Sequence, residues 1–197
     1  PTASRGVVLM RLFVAVPLAD EVRAALTDVQ ARLRAAGADV RWVEPKNFHL
    51  TVTFLGDLDD ALLDDVQAAC AAVAAETPPF RLRLRGASSF PKRGPAIKTL
   101  WVGVPEGAEP WKALVKRAEP WFLPMGVARE GGLVPHVTLG RVKSEKNIDS
   151  LRAALAAEAE TECGSQAADR IVLIQSFLDP AGATYEERAA WPLTGED

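Results

Sequence analysis

Residues 48–55 read Phe48-His49-Leu50-Thr51-Val52-Thr53-Phe54-Leu55, and residues 135–139 read Pro135-His136-Val137-Thr138-Leu139. Each stretch sets a histidine two positions before a threonine, with apolar residues between and after. Alternation with period two marks a strand whose one face lies in a core. The spacing predicts strands over 49–55 and 134–142. On each, the histidine and its threonine share a face, while Leu50, Val52, Val137 and Leu139 point into a core. These are the two histidines of the chain, and 87 residues separate them.

The surroundings of the first motif read as a strand at 11–16 and a helix capped by Asp20. That helix carries Val22, Leu26, Val29 and Leu33 on one face and ends at Gly37. A short strand over 39–43 leads into the motif. A helix over about 59–75 follows it, and Pro78 and Pro79 close the block. The second block opens on a strand at 80–85, with Phe80, Leu82 and Leu84 on one face and Arg81, Arg83 and Arg85 on the other. A basic, Gly- and Pro-containing loop spans 86–96, then a strand 97–104 and a helix through Trp111, Leu114, Val115, Ala118 and Phe122. After the second motif come a helix near 147–159, a central strand at 170–178 and a last strand at 184–193. Strands and helices mix without steady βαβ alternation, which predicts an α+β protein with antiparallel sheets. Each half contains one His-x-Thr strand followed by a helix, a weak internal echo. With no low-complexity linker between the halves, residues 10–194 read as one domain, and residues 1–9 as an N-terminal extension before Met10.

With 48% hydrophobic and 25% charged residues, the chain has the composition of an ordinary soluble protein. A net charge of −3 excludes a protein that coats nucleic acid through its global field, but permits a local basic groove. No apolar run approaches the roughly 20 residues that span a bilayer. Cys70 and Cys163 lack metal-ligand spacing and form no disulfide framework, which points to a reducing cytoplasm.

Two imidazoles suit phosphoryl transfer. A neutral one takes a proton from attacking water, and a protonated one gives a proton to the leaving oxygen. An ordinary pKa near 6.5 lets both forms coexist near neutrality. Thr51 and Thr138 hydroxyls are placed to hold phosphate oxygens. Two competing readings are weaker. A histidine can satisfy a local cap, but a duplicated motif is poorly explained so. A metal site would need clustered Cys, Asp or Glu ligands, which neither motif carries. The expectation is therefore a site with neither metal nor cofactor.

The two motifs, HLTV and HVTL, resemble those of the 2H phosphoesterase superfamily. MRLFVAVPL, VRWVEPKNFHLTVTFLG, SSFPKRGPAIKTLWVGV, VPHVTLGRVK and SFLDPAGATYEERAAWPL narrow the resemblance to the RNA 2′,3′-cyclic phosphodiesterases, also called 2′-5′ RNA ligases. The resemblance runs over nearly all of 10–194. It implies two pseudo-symmetric lobes, each an antiparallel sheet with outer helices, facing each other across a central groove. It further implies that His49 is the proton donor and His136 the proton acceptor, an assignment the residues alone leave open. The implied partner is RNA with a 2′,3′-cyclic phosphate end, such as a tRNA fragment, and reversal would give 2′-5′ ligation. No membrane or obligate protein partner is expected, and a monomer is.

Arg141 follows His136 by five, as an Arg does in related members, and its guanidinium suits a phosphate. Simple alternation puts it on the opposite face, so a bulge or strand end at Gly140 is needed to bring it round. Residues 77–105 hold six basic side chains and no acidic one: Arg81, Arg83, Arg85, Lys92, Arg93 and Lys98. They are the candidate RNA backbone track, although the three strand arginines read equally as a solvent face. Phe90, in Ser89-Phe90-Pro91, is a candidate to stack on a terminal base. Phe48, Trp42, Trp101 and Trp111 read as core. Tyr185 and Ser176 belong to the family-like C-terminal stretch, with no chemical argument for a place in the groove. The rival to the enzyme is a non-catalytic RNA- or nucleotide-binding module with the same groove.

Overall fold

The alternating segments pair into two antiparallel sheets in the computed structural model, which describes residues 6–92, 95–128, 133–180 and 182–196. The strands are β1 (Leu9–Pro17), β2 (Val40–Trp42), β3 (His49–Asp59), β4 (Phe80–Phe90), β5 (Thr99–Glu106), β6 (His136–Val142), β7 (Glu162–Ala168), β8 (Arg170–Asp179) and β9 (Gly182–Pro192). One sheet has the order β3-β1-β8-β9, the other β2-β6-β5-β4-β7. The helices are α1 (Asp20–Arg34), α2 (Leu63–Ala75), α3 (Ala108–Phe122) and α4 (Ile148–Ala157).

The helices cross between the sheets. α1 follows β1 of the four-stranded sheet but packs on β7 of the five-stranded one. α3 follows β5 of the five-stranded sheet but packs on β3 of the other. α2 and α4 stay with the sheets that precede them, against β8 and β9 and against β4. The crossing joins both halves in one apolar core, in which Leu26 and Leu33 of α1 and Leu114 of α3 are fully buried with Leu50, Leu84, Leu139 and Leu173. β3 and β6, the two histidine strands, pack against each other. The pseudo-symmetric α+β architecture of the sequence reading is thus observed, with exchanged helices added.

Several local expectations shift. Residues 162–168, lacking a strong apolar alternation, form β7 by pairing with β4. β4 runs on to Phe90, through part of the stretch read as loop. Ala19, not Asp20, is the N-cap of α1, with no side-chain cap bond, and Asp20 lies in the first turn. The helix read from 59 begins as a 3-10 turn over 60–62, capped by Asp59 Oδ1 accepting from Ala61 N–H at 3.0 Å. β1 starts at Leu9, and Val8 O accepts from Asp60 N–H, so the pairing reaches into the residues read as an extension. Residues 1–5 of that stretch lie outside the described residues. Both cysteines are free and buried; burial pushes the Cys70 thiol up to about 12 and the Cys163 thiol up to about 11. No described helix is long and apolar enough to cross a membrane.

Candidate active site

Each motif contains a β-bulge one residue after its threonine. Along β1 and β3, Ala15 pairs with Thr51 and Val14 with Thr53, so Val52 is the extra residue. Along β5 and β6, Trp101 pairs with Thr138 and Leu100 with Gly140, so Leu139 is the extra residue. Both extra side chains are buried and anchor the bulge in the core. A bulge disrupts the ladder and leaves carbonyls that need other partners. Trp111 of α3 donates its indole N–H to Thr51 O at 3.1 Å. Gln30 of α1, itself buried, donates to Leu139 O at 2.9 Å and to Val43 O at 2.8 Å. The exchanged helices therefore brace the two motif strands.

The second bulge decides the position of Arg141. Beyond it, Arg141 pairs with Thr99, which lies two residues from Trp101 on β5 and so on the same face. Arg141 thus shares the face of His136 and Thr138. Its Nη1 lies 3.5 Å from Thr99 Oγ1, and the side chain is exposed. The adjoining Gly140 permits the close approach of β2, since a Cβ there would lie 2.7 Å from Val40 Cγ1 and 3.0 Å from Trp42 Cε3.

The two imidazoles are held alike. His49 Nδ1 lies 2.7 Å from Asn47 O, and His136 Nδ1 lies 2.7 Å from Val134 O. A carbonyl only accepts, so each Nδ1 carries the proton, and in the neutral ring Nε2 is the basic nitrogen. His49 Nε2 lies 3.0 Å from Thr51 Oγ1. Burial pushes the His49 pKa below the ordinary value. The hydrogen bond to Asn47 opposes that shift, and the nearby charges of Arg23 and His136 add to it.

Aromatic rings wall both histidines. The Phe13 ring centroid is 4.7 Å from that of His49, and Tyr185 meets His49 edge-on at 5.6 Å. On the other side Phe90 meets His136 edge-on at 5.0 Å and stacks on Trp101 at 4.9 Å. Lys92 Nζ lies 5.5 Å from the Trp101 ring centroid. Phe54 pairs with Phe13 on the His49 face, and 54% of it is exposed. Phe54 follows His49 by five, as Arg141 follows His136, so one motif presents an aromatic ring where the other presents a cation.

Among the candidate residues, His49, Thr51, His136, Thr138 and Arg141 lie on the faces of the two packed motif strands opposite the core, Phe90 borders His136, and Lys92 lies over Trp101, which neighbours His136. Lys98 is exposed at the head of β5, where alternation places it on the Leu100 face rather than beside Arg141. Arg93 lies outside the described residues. Arg83 and Arg85 on β4 are engaged by Glu162, which opens the edge strand β7, and by Glu160 just before it, so ion pairs replace part of the basic track. Phe48 and Trp111 are core as read, and Trp42 packs at its edge. Trp101 is a correction: it is buried, but on the face of Thr138 and His136, opposite Leu100 and Val102, and its Nε1 lacks a hydrogen-bond partner among the described residues. Tyr185 was missed as a groove residue. Its ring lies 5.0 Å from that of Phe13 and 5.6 Å from that of His49, and burial raises the pKa of its hydroxyl, a shift the charge of Arg141 on the other sheet opposes. Among the described residues no three His, Cys, Asp or Glu side chains gather as a metal would require.

A family model described as LigT like Phosphoesterase matches residues 16–101, which include the first motif. The RNA 2′,3′-cyclic phosphodiesterase of Methanothermobacter thermautotrophicus is 33% identical over 184 residues, covering 93% of this chain and 99% of that protein. The protein of that name from Aeropyrum pernix is also 33% identical, over 79% of this chain and 90% of that one. Among solved structures, the protein TT0787 of Thermus thermophilus superposes with a TM-score of 0.79 at 28% identity, covering 95% of this chain and 100% of that one. Escherichia coli LigT in its apo form shares the fold, with a TM-score of 0.73 at 24% identity over 94% of this chain and 98% of that one. With two bulged His-x-Thr strands packed together and relatives aligned nearly end to end, the chain belongs to the LigT-like phosphoesterases, the 2H family of the RNA 2′,3′-cyclic phosphodiesterases.

Proposed function

We propose that this protein opens the 2′,3′-cyclic phosphate at an RNA end to leave a 2′-phosphate, without a metal, with His49 as proton donor and His136 as proton acceptor. The observation that carries the reading is the matched pair of imidazoles, each fixed through Nδ1 to a backbone carbonyl and each sharing a strand face with its threonine. RNA as substrate rests on the names of the relatives.

In the proposed reaction His136 Nε2 takes a proton from water as the water oxygen bonds to phosphorus. The bond from phosphorus to the 3′ oxygen breaks, and the protonated Nε2 of His49 gives that oxygen its proton. The product has a 3′ hydroxyl and a 2′-phosphate. Exchange of one proton with solvent restores both histidines. Thr51, Thr138 and Arg141 hold the non-bridging oxygens as charge builds. With a 5′ hydroxyl in place of water the same steps bond its oxygen to phosphorus as the 3′ oxygen leaves, which is 2′-5′ ligation.

His49 is held below its ordinary pKa in the free groove. The negative charge of a bound phosphodiester favours its protonated form. A required acid limits the rate as pH rises, so the alkaline limb of the kcat/KM profile is expected at lower pH than that of the kcat profile. The opposite order of these two limbs would contradict this account of the proton donor.

The exposed Phe54, together with Phe90 beside His136, offers rings on which bases stack, and Lys92 offers a backbone contact. Stacking of this kind is worth about 1–3 kcal/mol per base. Phe54→Ala is expected to raise KM for an RNA oligomer about 5- to 150-fold with kcat changed far less, as steady-state kinetics would record. Turnover of cyclic-phosphate oligomers of graded length, with chelator present, tests the reading as a whole. Binding that survives removal of both histidines, with no turnover by the wild type, would instead make the groove a non-catalytic binding module.

A further inference from the structure

His49 takes its orientation from Asn47 O, and that carbonyl belongs to a single 3-10 turn, Pro45–Asn47. A lone turn of this length is weakly held by its own hydrogen bonds. Two long-range contacts supplement it. Arg23 of α1 donates from Nη1 to Pro45 O at 2.7 Å and to Phe48 O at 3.1 Å, and from Nη2 to Leu18 O at 3.3 Å. Asn47 Nδ2 donates to Ala183 O of β9 at 2.8 Å, and Asn47 itself is buried. Arg23 thus ties the end of β1 to both flanks of the turn, on a helix otherwise packed against the other sheet. Hydrogen bonds from a charged donor to carbonyls are stronger than neutral ones. A cation spent on three carbonyls, adjacent to an imidazole it electrostatically disfavours as a cation, has a use other than charge.

We propose that Arg23, with Asn47, is a positioning residue for His49: it locks the 45–48 turn so that Asn47 O holds the ring as the Nδ1–H tautomer with the basic Nε2 turned toward Thr51. His136 is fixed by Val134 O, which Arg23 does not hold, and so serves as an internal control. In water a neutral imidazole side chain favours the Nε2–H form, which cannot accept a proton at Nε2. Loss of the lock therefore mixes the tautomers of His49 and misdirects its ring.

With two histidines in the chain, nitrogen NMR of the imidazoles resolves each one. In the wild type at alkaline pH both are expected as Nδ1–H. In Arg23→Met, His49 is expected to move toward Nε2–H while His136 is unchanged, with kcat down about tenfold or more and KM within threefold. Asn47→Ala, which keeps the Arg23 charge, is expected to give the same tautomer change and stands in should Arg23→Met not fold. A His49 that stays Nδ1–H in both variants, or a change of equal size at His136, overturns the proposal. The kinetic arm rests on the acid–base reading, whereas the tautomer does not. An inactive wild type whose His49 tautomer still follows Arg23 would refute the reaction and leave the positioning standing.

Discussion

His49→Ala and His136→Ala are each expected to lower kcat for opening a 2′,3′-cyclic phosphate RNA end by about 10²- to 10⁴-fold, the range that general acid–base catalysis supplies. The two losses should not multiply. Proton removal from water and proton delivery to the 3′ oxygen belong to one concerted displacement, so the double variant should be little worse than the weaker single one. Residual rate would reflect phosphate binding by Thr51, Thr138 and Arg141. Stability should change little, because both imidazoles are only half-buried and each meets a backbone carbonyl through Nδ1, His49 adding one bond to Thr51 Oγ1. Thermal unfolding measured beside the kinetics separates the two effects. Either variant retaining a rate within a few-fold of wild type would remove its histidine from the mechanism.

The second large effect is on stability. Leu139 is the extra residue of the second bulge, and its side chain is fully buried. Its carbonyl accepts from Gln30 Nε2 and from Val43 N–H, bonds that a side-chain truncation leaves in place. Leu139→Ala therefore removes core packing alone and leaves a cavity, for which about 2–5 kcal/mol is the usual cost. That is a large share of the stability of a domain this size. Urea unfolding of the two proteins should show the midpoint falling with an unchanged slope. A loss below about 1 kcal/mol would mean that the bulge is not anchored by this side chain. Since the bulge also sets the face of Arg141, the folded fraction of Leu139→Ala should show a higher KM.

How much of this was legible in sequence depends on the range of the interaction. The common face of His49 with Thr51, and of His136 with Thr138, follows from strand parity, a local property. The condition on Arg141 was legible as well: parity excluded it from the site unless the strand bulged, and the bulge lies at Leu139, one residue before Gly140. Trp101 shows the limit of hydrophobicity as a guide. It is as buried as a core residue, yet parity with Leu100 and Val102 turns it to the groove. Tyr185 could not be placed, because its position depends on β9 pairing with β8 and β8 with β1, contacts of long sequence separation. β7 was invisible for a related reason: Glu162–Ala168 has little β pattern of its own and is ordered by β4. Arg23 looks in sequence like any helix-surface cation, and its three carbonyl partners emerge once α1 packs beside the 45–48 turn.

The central claim is a metal-independent displacement in which the 3′ oxygen leaves. Its most direct test is phosphorus NMR of a short RNA bearing a 2′,3′-cyclic phosphate, incubated with the protein in the presence of excess chelator. The cyclic resonance is expected to convert wholly to that of a 2′-phosphate. A 3′-phosphate product, or a cyclic resonance that persists until a metal is added, would contradict the account.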